Sequence, residues 1–194
     1  MKILVVGESC KDIFVYGECN RICPEAPVPV FVPIREAINS GMAMNVRNNI
    51  ISLGIESDIV TNENWETVKK SRFIDDRTNQ MFLRVDKNDS KVLTLSDESK
   101  ILLLNNVDKY DAVVISDYCK GFVTPQLIEE ICNLHSTVFL DTKKLLGPWC
   151  RKAKFIKINE VEYERTKHLV DSQIRSNLII TRGSKGCQYR GEMF

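Results

Sequence analysis

Carboxylates, lysines and glycines recur in this chain just after short apolar runs, and their types suit a ligand that carries hydroxyl and phosphate groups. Ile3–Val6 passes into Gly7-Glu8-Ser9-Cys10-Lys11-Asp12. Carboxylates just past the C-terminal end of a strand lie where open α/β sheets bind ligands, and one there can accept two sugar hydroxyls. Asp12 is the candidate, and capping of a turn is an equally good local reading of it. Lys120, in Ser116-Asp117-Tyr118-Cys119-Lys120-Gly121, can meet a phosphate as a point charge or simply be solvated. In Asn159-Glu160-Val161-Glu162 the spacing fits a helix N-cap with glutamate at the third helical position, a capping box. Asp141-Thr142-Lys143 and Thr181-Arg182-Gly183-Ser184-Lys185-Gly186 complete the set, although a Gly-x-x-Gly by itself fits any hairpin.

Positioning these groups takes alternating strands and helices. The apolar runs Ile3–Val6, Ser57–Val60, Ala112–Ile115, Val138–Leu140, Phe155–Ile158 and Leu178–Thr181 read as strands buried on both faces, the pattern of a parallel sheet. Helical period predicts helices over Met42–Leu53, Ser99–Asn105, Pro125–Asn133 and Glu160–Leu169. Gly54 suits a C-terminal stop, and Thr124-Pro125 an N-cap followed by proline. Residues 15 to 34 carry Pro24, Pro27, Pro29 and Pro33, which exclude a central strand and predict edge strands. Residues 72 to 85, with Phe82 and Arg84 alternating, are strand-like and predict a partner for that segment in a small β-flap. The expected fold class is therefore α/β, mainly parallel, as one domain over 1–194 with lid segments near 14–34 and 72–86.

Composition narrows the partners. The 27 basic and 26 acidic residues nearly cancel, which gives no electrostatic footprint for nucleic acid or an anionic membrane. The first apolar run is too short for a signal-peptide core or a membrane span, so a cytoplasmic protein is expected. Seven scattered cysteines do not form a secreted disulfide framework. Four zinc ligands at ordinary spacing are not apparent.

Tyr16-Gly17, the run Arg21-Ile22-Cys23-Pro24-Glu25-Ala26-Pro27-Val28-Pro29-Val30, and Ser40-Gly41-Met42-Ala43-Met44-Asn45-Val46 ending at Leu53-Gly54 closely resemble the heptose-phosphate kinase branch of the ribokinase-like (PfkB) carbohydrate kinase family. Asn79-Gln80-Met81-Phe82-Leu83-Arg84-Val85-Asp86 is similar to the branch's lid strand. Asp141-Thr142-Lys143 resembles the family's Asp-Pro-Lys, Asn159 to Glu162 its Asn-x-x-Glu, and Thr181 to Gly186 its Thr-x-Gly-x-x-Gly nucleotide loop. The resemblance implies a Rossmann-type three-layer sandwich with a β-flap lid and phosphoryl transfer from ATP to the anomeric hydroxyl of a heptose 7-phosphate. It places Asp12, Gly41, Asn45, Arg84, Asp117 and Lys120 on the sugar phosphate. Lys143, Asn159, Glu162, Thr181, Gly183 and Gly186 fall on ATP, with Glu162 also organising Mg2+. Separately from the resemblance, the unpaired edges of the flap and the apolar sheet surface left open without the family's last helices predict a homodimer through the lid.

The sequence departs from the family in places. Glu8 stands where aspartate is usual, Met42 replaces the second of paired glycines, and Thr142 replaces the proline before Lys143. The stretch between Val60 and Arg72 is shorter than the family pattern. The Gly-Ala-Gly-Asp motif, whose amides form an anion hole and whose aspartate is the base, does not occur in these residues. Two expectations follow: a kinase that works only when a second polypeptide supplies that segment, or a non-catalytic sugar-phosphate-binding or regulatory module.

Overall fold

The computed structural model describes residues 1–194. Six strands form the parallel centre of an eight-stranded sheet: β1 (Lys2–Gly7), β4 (Glu56–Val60), β7 (Ala112–Asp117), β8 (Val138–Thr142), β9 (Phe155–Asn159) and β10 (Leu178–Thr181). Their order across the sheet is β10-β9-β8-β7-β1-β4, and the antiparallel hairpin of β11 (Cys187–Tyr189) and β12 (Glu192–Met193) extends the β10 edge. Each of the six coincides with an apolar run read from the sequence. Because all six point the same way, Gly7, Asp117, Thr142, Asn159 and Thr181 end at one rim.

The alternation of side chains along a strand divides the core. Leu4 and Val6, Val113 and Ile115, Val138 and Leu140, Ile156 and Ile158, and Leu178 and Ile180 all point into one cluster, together with Leu127, Ile128 and Ile131 of α3 (Pro125–Leu134) and Ile174 of α5 (Ser172–Asn177). Leu103 of α2 (Asp97–Leu104) joins the same cluster. Helix α3 starts where its residues dictate: Thr124 accepts the Leu127 amide and Pro125 occupies the first turn. On the opposite face α1 (Ala43–Ser52) packs against β4, β1 and β7. Beyond it the aromatic rings of Phe139, Phe155 and Tyr189 form a row, Phe139 stacking on Phe155 at 5.3 Å. Phe139 remains 37% exposed.

The second sheet has the order β3-β2-β5-β6, with β2 at Ser9–Glu18, β3 at Val32–Met42, β5 at Lys69–Asp75 and β6 at Met81–Lys87. Here the expectation needs correcting. The flap strand begins at Ser9, directly after β1, and Pro24, Pro27 and Pro29 sit in the loop between β2 and β3, pinned by a single bridge between Ile22 and Pro29. Only Pro33 enters a strand, and β3 is an edge, where a missing N–H costs no ladder bond. Residues 35–42, of which the sequence assigns only Met42, to the following helix, complete that strand. Residues 72–85 are strand-like as expected and lie in two strands of this sheet, joined as an antiparallel hairpin that turns through residues 76–80. Its first arm pairs with β2 in parallel from Lys11 to Gly17.

Smaller differences lie at helix ends. Helix α4 is regular over Glu160–Thr166 and tightens to a 3-10 turn at Lys167–Leu169. Helix α5 is too short for its period to be read, although Asp171 accepts the Ile174 amide as an ordinary N-cap. No helix is long and apolar enough to cross a membrane.

All seven cysteines are free, and Cys10, Cys132 and Cys150 are buried. Burial pushes the Cys10 and Cys132 thiols up to about 12, and the thiolate is the reactive form. A thiol count at pH 8 on the native chain is expected to label Cys19, Cys23, Cys119 and Cys187. The other three should react only in denaturant. Rapid native labelling of Cys10 would mean that the junction of the two sheets opens.

Candidate functional site

The rim of the parallel sheet and one face of the second sheet carry the candidate residues. Gly7 makes the junction possible: a Cβ there would lie 2.0 Å from the Ser116 carbonyl oxygen. Glu8 follows, with no solvent exposure. Its carboxylate accepts the backbone amides of Tyr118 at 2.8 Å and Lys120 at 3.0 Å. Burial raises the Glu8 carboxyl above the usual carboxylate range, and the two amides partly oppose this. Glu8 thus staples the Asp117–Gly121 loop to the start of β2, a role that its position in the sequence does not announce.

Asp117 belongs to the same staple. Its side chain is fully buried and bonds Lys144 Nζ at 2.6 Å, Thr142 Oγ1 at 2.5 Å and the Cys119 amide at 2.9 Å. The family resemblance placed Asp117 on a ligand. In the structure its carboxylate accepts from these three donors, and it shapes the loop that presents Tyr118 and Lys120. Thr142, which stands where the family has proline, supplies one of those donors. Lys144 was not singled out in the sequence because nothing local marks a lysine that pairs across two strand ends.

Residues paired across strands share a face of the second sheet. Asp12 lies opposite Asn39 and Lys70, Lys70 opposite Asp86, and Arg72 opposite Arg84. This face is polar. Arg72 donates to Asp12 at 2.7 Å, and Arg84 grips Asp86 with two bonds of 2.7 Å. The Arg84 guanidinium holds the Asp86 carboxyl down at about 2. A lowered folded value contributes stability above the ordinary carboxylate range and loses it as pH falls through that range toward 2, so this pairing survives mild acid. Lys70 reaches Asp86 at 3.3 Å and Asp89 at 2.6 Å, and Lys120 Nζ also pairs with Asp89. Arg72, Lys70 and Asp89 escaped the sequence reading. The available signal was the two-residue spacing of Lys70 and Arg72, which puts both on one face once the strand is recognised.

Gly41 sits opposite Cys10, and a Cβ on it would come within 2.6 Å of Asp12 Oδ2 and 2.8 Å of Cys10 Sγ. Its lack of a side chain seats the Asp12 carboxylate. Gly41→Ala is expected to displace Asp12 and weaken ligand binding at least tenfold, while overpacking lowers stability by about 1–3 kcal/mol; calorimetry and thermal melts separate the two effects. Met42 occupies φ 59°, ψ −128°, a region that suits glycine, which explains the paired glycines of the family. Its buried side chain packs with Cys10 and Val68. Asn45 stands in the first turn of α1 with its side chain exposed.

On the nucleotide side the capping box is complete: the Glu162 amide donates to Asn159 Oδ1 and the Asn159 amide to Glu162 Oε2, both at 2.8 Å. Glu162 Oε1 faces Lys143 Nζ at 3.6 Å, and Lys143 lies over the Tyr118 ring at 5.0 Å. One carboxylate beside one lysine fits a hydrated magnesium ion held largely through water, with the lysine on a phosphate. Thr181 ends β10, and Gly183 follows at φ 59° with open space around it. Gly186 has a different reason to be glycine, since a Cβ would meet the Phe194 carbonyl oxygen at 1.8 Å. It lets the terminal hairpin close through the Cys187 and Phe194 amides.

A parallel sheet with this strand order and a second sheet rooted at β1 defines the class. Solved structures of the same fold include a carbohydrate kinase from Agrobacterium tumefaciens (TM-score 0.59, 12% identity, 96% of this chain and 71% of that one). Phosphofructokinase-2 from Escherichia coli with fructose-6-phosphate scores 0.60 at 12% identity, covering 96% and 75%. A nucleoside kinase of the ribokinase family from Methanocaldococcus jannaschii scores 0.59 at 16% identity, covering 96% and 72%. At these identities the likeness establishes the fold.

Sequence relatives take the assignment further: the chain belongs to the ribokinase-like (PfkB) carbohydrate kinase family and is related to the bifunctional protein HldE. It is 33% identical over 189 residues to the Nitratiruptor protein, covering 83% of this chain and 40% of that one. The Wolinella succinogenes protein is 35% identical over 175 residues, covering 75% and 36%. The chain thus spans about two fifths of the length of these relatives. No protein-family model matches it.

Proposed function

We propose that this chain binds a heptose 7-phosphate between the rim of the parallel sheet and the polar face of the second sheet, as the acceptor half of an ATP-dependent sugar kinase. The observation that carries the reading is the meeting of Asp12, seated by Gly41 and held by Arg72, with the Lys70, Arg84 and Lys120 cations. Asp12 accepts sugar hydroxyls with Gly41 beside it, Asn45 of α1 would take a further hydroxyl, and the cations meet the phosphate. Asp117 contributes by fixing the Lys120 loop. The second sheet acts as the lid, and closing it excludes water that would compete for the phosphoryl group. Lys143, Thr181 and Gly183 would lie along the ATP phosphates, with Asn159, Glu162 and Gly186 shaping that side. Glu162 would hold hydrated Mg2+, which supplies charge neutralisation to the transferring group.

Transfer also needs a base and an anion hole, since phosphoryl transfer depends on positioning and electrostatic stabilisation. The Gly-Ala-Gly-Asp motif, which supplies both in the family, does not occur in these residues. The chain alone is therefore proposed to bind without turnover, and a second polypeptide or further segment carrying the Gly-Ala-Gly-Asp motif to complete catalysis. The uncovered Phe139, Phe155 and Tyr189 row is apolar surface suited to such a segment. The test is calorimetry with heptose 7-phosphate and with ATP, followed by a kinase assay with and without that segment. Sugar-phosphate binding that becomes ATP-dependent phosphorylation on adding the segment is the expected result. No binding of any sugar phosphate would sink the reading. Binding with no phosphorylation under either condition favours the second reading, a non-catalytic sugar-phosphate module.

The lid's other face points to a homodimer. Ile13, Ile38 and Val85 line it with Val15, Phe73 and Leu83. Ile38, Leu83 and Val85 are each among its exposed apolar side chains, and β3 and β6 leave edges to pair or cover. Light scattering is expected to give the dimer mass for the chain and the monomer mass for Leu83→Glu. A monomeric parent chain would remove this proposal.

A further inference from the structure

We propose that Asp89 is an internal competitor for the substrate phosphate, occupying with its carboxylate the place between Lys120 and Lys70 that a phosphate dianion takes on binding. The inference rests on the sugar-phosphate reading above. Asp89 lies just beyond β6 on a turn set by Asn88, whose φ is 58° and whose side chain is bonded to the Thr67 carbonyl at 3.0 Å. Its two oxygens serve different parts of the molecule. Oδ1 takes Lys70 of the lid at 2.6 Å, and Oδ2 takes Lys120 of the loop after β7. This carboxylate therefore ties lid to body through two charge-assisted hydrogen bonds.

Charge matching indicates why it should yield. Arg72 is matched by Asp12 and Arg84 by Asp86. That leaves two lysines, Lys70 and Lys120, sharing the single negative charge of Asp89, with a weaker 3.3 Å contact from Lys70 to Asp86. A phosphate monoester carries about −1.5 to −2 at neutral pH and offers three acceptor oxygens, so it matches two ammonium groups where one carboxylate cannot. Lys70 is only 9% exposed, which keeps the exchange in a partly desolvated place where charge matching counts more. Residues 90–96, which follow Asp89, form no helix or strand, so the carboxylate can swing out without breaking a ladder. Discrimination follows from the same geometry: a neutral sugar has nothing with which to displace Asp89, while a phosphorylated one does.

The opposite role, in which Asp89 orients Lys120 for the phosphate, predicts the opposite result. Calorimetric titrations of inorganic phosphate, heptose 7-phosphate and unphosphorylated heptose into the whole chain, its Asp89→Asn variant and its Lys120→Gln variant decide between them. Asp89→Asn is expected to bind both phosphate-bearing probes about tenfold more tightly, as removing a competing charge pair should, with the heptose unchanged. Lys120→Gln should bind both more weakly than the parent. If the parent chain binds heptose 7-phosphate and Asp89→Asn binds it equally or less well, competition is overturned while the sugar-phosphate reading stands. If the parent binds neither phosphate-bearing probe, both fall together. A measurement on the unaltered chain guards against a variant that does not fold: saturating heptose 7-phosphate should speed amide hydrogen exchange at residues 88–93. Unchanged or slower exchange there overturns the proposal.

Discussion

Replacing Asp117 with alanine is expected to lower stability by about 3–5 kcal/mol, the range for removing one partner of a buried ion pair. The loss comes mainly from what is left behind. Lys144, only 14% exposed, would keep its charge with no carboxylate at 2.6 Å to meet it, and Thr142 Oγ1 and the Cys119 amide would lose their acceptor. In a chain of this size the thermal midpoint should fall by about 6–20 °C. Asp117→Ala combined with Lys144→Met should recover part of that, because the stranded charge is then gone. A midpoint within a degree or two of the parent would show that the Asp117–Gly121 loop is held by Glu8 alone. The same variant tests how Asp117 acts: as a positioning residue, it should affect sugar-phosphate binding only as far as the loop carrying Lys120 is disturbed. Asp117→Asn, which keeps the shape and one acceptor, should therefore retain more binding than Asp117→Ala.

Asp12→Ala is expected to reduce heptose 7-phosphate affinity by a hundredfold or more with little change in the thermal midpoint. A carboxylate that accepts two hydroxyls makes two hydrogen bonds to a charged group, each worth about 1.5–3 kcal/mol. The pair it forms with Arg72 is partly solvated, and such pairs add little to stability. Calorimetry supplies the affinity and a melt supplies the control. Undiminished affinity would remove Asp12 from the site and return it to the turn-capping role that its sequence position equally allowed. Comparison with Lys120→Gln separates the two ends of the ligand, since the lysine variant should lose the phosphate contribution and keep that of the hydroxyls. Together the two variants locate the sugar between the start of β2 and the loop after β7.

The parallel half of this protein was legible in the sequence because each of its strands is a short run rich in aliphatic and β-branched residues. The structure buries only the central β1 and β7 on both faces and leaves one face of β8, β9 and β10 partly open. Ala112–Ile115 is a continuous apolar run and Phe155–Ile158 is interrupted only by Lys157, lengths that suit a strand in an α/β sheet, and their polar followers then had to share one rim. Local chemistry was legible for a similar reason, and the Asn159–Glu162 capping box formed as its spacing required. The lid was harder. Its strands are exposed on at least one face, so composition marks them weakly; the prolines of residues 24–29 drew attention to the loop when the neighbouring residues 9–18 and 32–42 made the ladder. Charges posed the deepest difficulty. Nothing adjacent to Asp117, Lys70 or Asp89 reveals a partner 16 to 31 positions away, because such pairs exist only once strands are brought into register. The residue types and their rim were thus determined by the sequence itself. Which carboxylates are buried and paired inside the protein and which stay partly open was decided by the tertiary structure, since burial and pairing are properties of neighbours that the chain meets only on folding.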